Sequence, residues 1–137
     1  MPTDDGDSSL TQRLTIRTEL QRIGLRVEVS GSGTYANTLA YWRAIVEAVN
    51  EHQPRALLLV DRTTGPALEA AEWKSLVEAM SGSGLERLRI AHVKPSGLQQ
   101  IEYCELYARE AGFTARVFTD ESEAAIWLRY GVSERSA

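Results

Sequence analysis

The sequence predicts an α/β fold: one domain with a mixed, mostly parallel sheet of about five strands and four helices, in the order β-β-α-β-α-β-α-β-α. Three observations carry this. Ala56-Leu57-Leu58-Leu59-Val60 is a short apolar run without polar alternation, as expected of a strand covered on both faces. After Val29 the hydrophobic period changes from two residues to helical spacing. Every later strand is then preceded and followed by a helix, and right-handed crossovers make such strands parallel.

In chain order, residues 1–10 are polar and acidic, with little to bury, and are expected to be a disordered tail. The folded domain is expected over residues 11–131, with a second tail at 132–137. Residues 14–20 and 25–29 alternate apolar and polar, so each reads as a strand with one wet face, joined near Ile23-Gly24 as an antiparallel hairpin. Leu39, Trp42, Ile45, Val46 and Val49 predict a helix over about residues 36–51, closed by Pro54. The apolar strand at 56–60 follows. Trp73, Leu76, Val77 and Met80 form the stripe of a second helix, ended by Ser81-Gly82-Ser83-Gly84. Residues 88–93 read as a strand, and Pro95-Ser96-Gly97 opens a third helix with Leu98, Ile101, Cys104 and Ala108 inside and Gly112 at its end. Residues 115–119 are the last strand. Asp120 and Glu123 have capping-box spacing before a final helix carrying Ala124, Trp127 and Leu128.

Composition narrows the function classes. The chain has 137 residues, 43% apolar and 25% charged, the balance of an ordinary globular domain. Its net charge of −4 and scattered basic residues argue against nucleic-acid binding, which needs clustered Lys and Arg. Cys104 is the sole cysteine, so neither a disulfide framework nor a cysteine-rich metal site is expected, and a packed thiol is. No stretch has the length of a membrane span, and the N-terminus lacks the basic and apolar regions of a signal peptide; a cytoplasmic location is expected.

Gly31-Ser32-Gly33-Thr34-Tyr35-Ala36 matches the G-x-G-x-x-[GA] pattern between a strand and a helix. Three features favour an ordinary loop and helix start. The preceding strand carries Arg26 and Glu28, the next strand-end acid lies farther away than the usual spacing, and a hairpin comes first. An anion at this helix N-terminus remains the alternative. Asp61, with Thr63 and Thr64, lies just beyond the apolar run, where open α/β sheets place their sites. It could act as a base, metal ligand or phosphoacceptor, but without a second acid cluster the simpler role is a cap or turn. His52 suits a helix C-terminus, and His92 reads as a hydrogen-bonded core or strand-end residue. Neither has a partner at metal-ligand spacing. Tyr103 and Tyr107 stand one helical turn apart, off the core face. With Trp42 and Trp73 they are the candidate lining of an apolar pocket, against the plainer role of packing.

Ala56-Leu-Leu-Leu-Val-Asp-Arg, Leu88-Arg-Ile-Ala-His-Val and Arg116-Val-Phe-Thr-Asp-Glu-Ser-Glu-Ala-Ala-Ile-Trp-Leu carry a family resemblance. From about Leu14 to Gly131 it resembles the STAS and SpoIIAA-like group of small bacterial domains. The resemblance implies a mixed sheet with helices and no enzyme chemistry. It also implies a phosphorylatable Ser or Thr at the start of the helix after the corresponding strand. Asp61-Arg62-Thr63-Thr64-Gly65 is the nearest match, but at the usual offset stand Ala67, Leu68, Glu69 and Ala70, which cannot accept phosphate. Fold similarity of SpoIIAA-like proteins to Sec14-type lipid carriers implies, by analogy, an apolar ligand.

The leading expectation is a non-enzymatic regulatory or protein-interaction domain, recognising another protein around Asp61, Thr63, Thr64 and Glu69. It needs no cofactor, catalytic group or metal. The alternatives are a carrier of a small apolar ligand or lipid between helices and sheet, lined by Trp42, Trp73, Tyr103 and Tyr107, and a nucleotide-binding domain using Gly31, Ser32, Gly33 and Thr34. The hairpin offers an edge strand for a homodimer, unless Arg26 and Glu28 blunt it.

Overall fold

A computed structural model describes residues 13–96 and 102–130. The two tails, the outer limits of the domain, and Gly97, Leu98 and Ile101 at the opening of the third helix lie outside the described residues. Among the described residues the architecture is a five-stranded mixed sheet with four helices in the expected order. The strands are β1 (Leu14–Leu20), β2 (Leu25–Ser32), β3 (Ala56–Thr64), β4 (Arg89–Val93) and β5 (Thr114–Phe118). The helices are α1 (Tyr35–His52), α2 (Ala70–Met80), α3 (described over Glu102–Glu110) and α4 (Glu121–Tyr130), with a single 3-10 turn at Leu85–Arg87.

Spatial order follows chain order, β1-β2-β3-β4-β5. The β1–β2 hairpin is antiparallel and every other pairing is parallel. Alternation along the strands divides the apolar residues between two cores. Leu25, Val27, Val29, Leu57, Leu59 and Ile90 face α1, α2 and α3. Leu58, Val60, Ala91 and Val93 face α4, through Ala124, Trp127 and Leu128. The central run of β3 is apolar throughout because both its faces are covered.

Two sequence features read as connections belong to strands. β3 continues past Val60 to Thr64, so Asp61 and Thr63 are sheet residues rather than parts of a turn. Gly31 and Ser32 likewise extend β2, paired to Thr63 and Thr64. Alternation explains the first: Asp61 and Thr63 continue the face of Leu57 and Leu59, where polar groups have replaced apolar ones without breaking the ladder. At Gly31, φ is 124° and a Cβ would collide with the Arg13 carbonyl, so glycine allows the close approach to the start of β1.

Arg26 and Glu28 lie on β2, one strand in from the edge, and therefore do not blunt it. β1 is the hairpin's edge strand, and β5 forms the other edge of the sheet. On the α4 face Arg26 Nε pairs with Glu121 at 2.8 Å, while Glu28 takes Arg26 Nη1 at 3.1 Å and Arg62 Nε at 3.0 Å. Their partial burial and shared partners tie α4 to the sheet.

Local signals set the helix ends. Thr34 caps α1 by accepting from Asn37 N at 3.1 Å. Gln53 ends it in the left-handed conformation, φ 51°. At α2, the Glu72 carboxylate accepts the Glu69 N–H at 2.9 Å. Asp120 accepts from Glu123 N at 3.1 Å before α4, the half of the expected capping box that fixes the helix start. No helix among the described residues is long and apolar enough to cross a membrane.

Candidate functional site

At the carboxyl end of β3 and β4 the larger core becomes polar. His92 and Lys94 follow Ile90 on one face of β4, as Asp61 and Thr63 follow Leu59 on β3. The parallel register pairs Leu59 with His92 and Val60 with Val93, and one further step sets Asp61 beside Lys94. Tyr41 reaches in from α1. All five residues are buried.

Asp61 is the hub. Its Oδ1 accepts from Thr63 N at 3.0 Å, Thr63 Oγ1 at 2.6 Å and Lys94 Nζ at 3.2 Å. Its Oδ2 faces Tyr41 Oη at 3.2 Å and His92 Nε2 at 2.9 Å. Because an ionised carboxylate only accepts, Nε2 of His92 carries the shared proton. Lys94 Nζ also donates to the Thr63 carbonyl at 2.7 Å and Thr63 Oγ1 at 3.0 Å, which uses all three of its hydrogens.

Burial opposes ionisation of Asp61, but the hydrogen bond and field of His92, the charge of Lys94 and the Thr63 hydroxyl outweigh it. The carboxyl is held well below the usual carboxylate range. Tyr41 moves the other way: burial, then the Asp61 charge, pushes its phenol well above normal. A carboxylate engaged by five donors and so weakly basic is a poor proton acceptor. Chemically the cluster is an anchor that pins the end of β3 to β4.

Above it the chain turns outward. Thr64, Gly65, Pro66, Ala67 and Glu69 are exposed, and Leu68 is half-buried. Thr63 and Thr64 have opposite fates, since the Thr63 hydroxyl is locked between Asp61 and Lys94, whereas Thr64 Oγ1 makes only a long 3.5 Å contact to Gly31 O. Glu69 stands at the N-cap of α2.

The candidate nucleotide loop is engaged with the sheet. Gly33 N donates to Thr64 O at 2.7 Å, and a Cβ on Gly33 would meet Thr63 Oγ1 at 3.0 Å. The Thr34 side chain and carbonyl take the N–H groups of Asn37 and Thr38. Gly31 to Thr34 therefore continue the sheet and cap α1.

The four candidate pocket residues do not converge. Trp42 and His92 line a cavity of about 40 Å³ between α2, α3 and the sheet, beside Cys104 and Phe113. Trp73 borders a second depression with Asp61, Thr63 and Lys94. Both indoles approach the His92 ring edge-on, with centroids 6.2 and 6.4 Å away. Tyr103 is 47% exposed and stacks on Tyr107 at 6.2 Å, away from both spaces. Cys104 is buried; desolvation, followed by the fields of Asp61 and Glu105, pushes its thiol up to about 12. No group of three His, Cys, Asp or Glu side chains among the described residues is arranged to hold a metal ion.

Lys94 and Tyr41 were missed by sequence reasoning. Lys94 had a readable signal, its position two residues beyond His92 on an alternating strand. Tyr41 had none, since only the packing of α1 brings it to Asp61. No family model matches the chain, and no curated protein matches it either.

Proposed function

We propose that the chain is a non-enzymatic regulatory or protein-interaction domain of the STAS/SpoIIAA-like type, recognising a partner protein through residues 64–69 and the start of α2. The observation that carries this reading is the saturation of Asp61 and Lys94 by one another and by Thr63, Tyr41 and His92. Their charges are spent on holding the strand end, leaving an exposed loop on a rigid footing. Recognition residues are commonly carried in that way.

Element order and the position of the strand end support the likeness to STAS domains. In that likeness the modifiable hydroxyl belongs near the start of α2, where this chain has Glu69. A carboxylate there places a fixed negative charge at the helix N-terminus, favoured by the helix dipole. The surface is thus held in one charge state at this position. Thr64 has the accessible hydroxyl for any modification, and Thr63 does not.

Incorporating a photoreactive residue at Ala67 tests the reading, with Gln21 at the opposite end of the sheet as control. A discrete protein adduct from Ala67, absent from Gln21, is expected in lysate of the source organism. No adduct, or the same adducts from both positions, would overturn it.

Carriage of an apolar ligand draws on the cavity beside Trp42 and His92. At about 40 Å³ that space is far too small for a lipid. Small-molecule pockets commonly measure about 300–1,000 Å³. The interaction reading therefore stands first.

A further inference from the structure

The amino end of the parallel strands carries a concave surface of a different kind. Arg22 from the β1–β2 turn, Arg55 between α1 and β3, Arg89 at the start of β4 and Arg129 in the last turn of α4 line one open depression of about 500 Å³. Ile23, Ala56 and Leu128 complete its wall, and none of its lining residues is acidic. These arginines are far apart in sequence. The fold gathers them, partly because the register sets Ala56 beside Arg89.

Among the described residues their charges are largely unanswered. Arg89 Nη2 donates to the Leu128 carbonyl at 3.0 Å, but its buried Nε has no hydrogen-bond partner. No described residue forms an ion pair or side-chain hydrogen bond with Arg22, Arg55 or Arg129. The carbonyl end of α4 favours nearby cations and so accounts for Arg89 and Arg129. It does not account for Arg22 and Arg55, which come from other elements. A chain of net charge −4 has thus assembled four guanidinium groups around a single space.

We propose that this depression binds a phosphate-bearing anion with two or more negative charges, a phosphomonoester or diphosphate on a small organic body. Guanidinium forks match phosphate oxygens in bidentate geometry, and an anion relieves the mutual repulsion of cations held together. Several arginines suit a multiply charged group better than a single carboxylate. The volume lies in the range of small-molecule sites. Ile23, Ala56 and Leu128 offer an apolar wall for the organic part. The site is at the opposite end of the strands from Glu69 and does not depend on the partner-recognition reading.

Calorimetric titration of the full chain with inorganic pyrophosphate, first at low salt and then at about 150 mM, tests this. One saturable site is expected, weakened about tenfold or more in Arg55→Gln/Arg129→Gln. It should persist in the charge-matched Arg17→Gln/Arg43→Gln variant, whose changes lie outside the depression. All four side chains are exposed, so both variants should fold, which circular dichroism checks. Absence of saturable binding, or equal weakening in both variants, would overturn the proposal.

Sedimentation with phosphatidylcholine vesicles containing phosphatidic acid distinguishes the sources. Co-sedimentation that needs Arg55 and Arg129 assigns the phosphate to a lipid headgroup. Pyrophosphate binding without co-sedimentation assigns it to a soluble phosphate ester.

Discussion

Lys94 Nζ lies 3.2 Å from Asp61 Oδ1, with the two side chains only 5% and 3% exposed, so a full ion pair is enclosed within the fold. Such a pair is costly to break from one side, because the surviving charge remains buried without its partner. Its position just below residues 64–69 links the stability of the sheet to the shape of the proposed recognition surface.

Asp61→Asn should destabilise the protein by about 3–5 kcal/mol, since Lys94 then lacks its counter-charge. Lys94→Met should also destabilise, by leaving Asp61 without its ammonium. Urea denaturation of the two single variants and the double variant checks the coupling. The double variant should lose less stability than the two single losses added together; strict additivity would mean that the pair does not act as a unit.

The pH dependence has a defined sign. The folded Asp61 carboxyl titrates below its unfolded value, near 3.9, so the unfolded state binds the proton first as pH falls. The contribution is fully present above about pH 5 and is lost as pH drops through the folded value. The stability difference between wild type and Asp61→Asn should therefore shrink as pH falls below about 4. A difference that grows on acidification would contradict this assignment.

The neighbouring threonines should behave unequally. Thr63→Ala removes a buried hydroxyl that donates to Asp61 and accepts from Lys94, and should cost about 1–3 kcal/mol. Thr64→Ala, at an exposed position, should fall within about 0.5 kcal/mol of wild type. Chemical denaturation of the two variants measures the contrast.

Cys104 should be inert in the folded protein. Its buried thiol, pushed up to about 12, offers little thiolate at pH 8. A colorimetric disulfide reagent should leave the native chain unmodified while labelling it rapidly in denaturant. Fast labelling of the native protein would show that the space between α3 and the sheet opens readily.

Much of the architecture was legible because hydrophobic period and turn chemistry act locally. The unbroken run Ala56–Val60 announced a strand covered on both faces, and Pro54 and Asp120 marked helix ends. The polar continuation of β3 was harder to read. Asp61 and Thr63 look like turn residues by composition, and only the ladder to β2 and the side-chain contacts with Lys94 hold them extended. His92 was read as a hydrogen-bonded core residue, and that is its place. Its partner was hidden because Asp61 lies 31 residues away, beyond the reach of a local pattern. The same reason explains the arginine depression: Arg22, Arg55, Arg89 and Arg129 are scattered in the chain and meet only when the strand ends align.

The central claim is that the exposed end of β3 and the start of α2 recognise a partner protein. Affinity of the partner captured through Ala67, measured calorimetrically for wild type and Glu69→Lys, tests it most directly. The expected result is about tenfold weaker binding or more with a stability loss of only about 1 kcal/mol in urea, the cost of reversing charge at an exposed helix start while the Asp61 cluster stays intact. Equal affinity for the two proteins would contradict the claim.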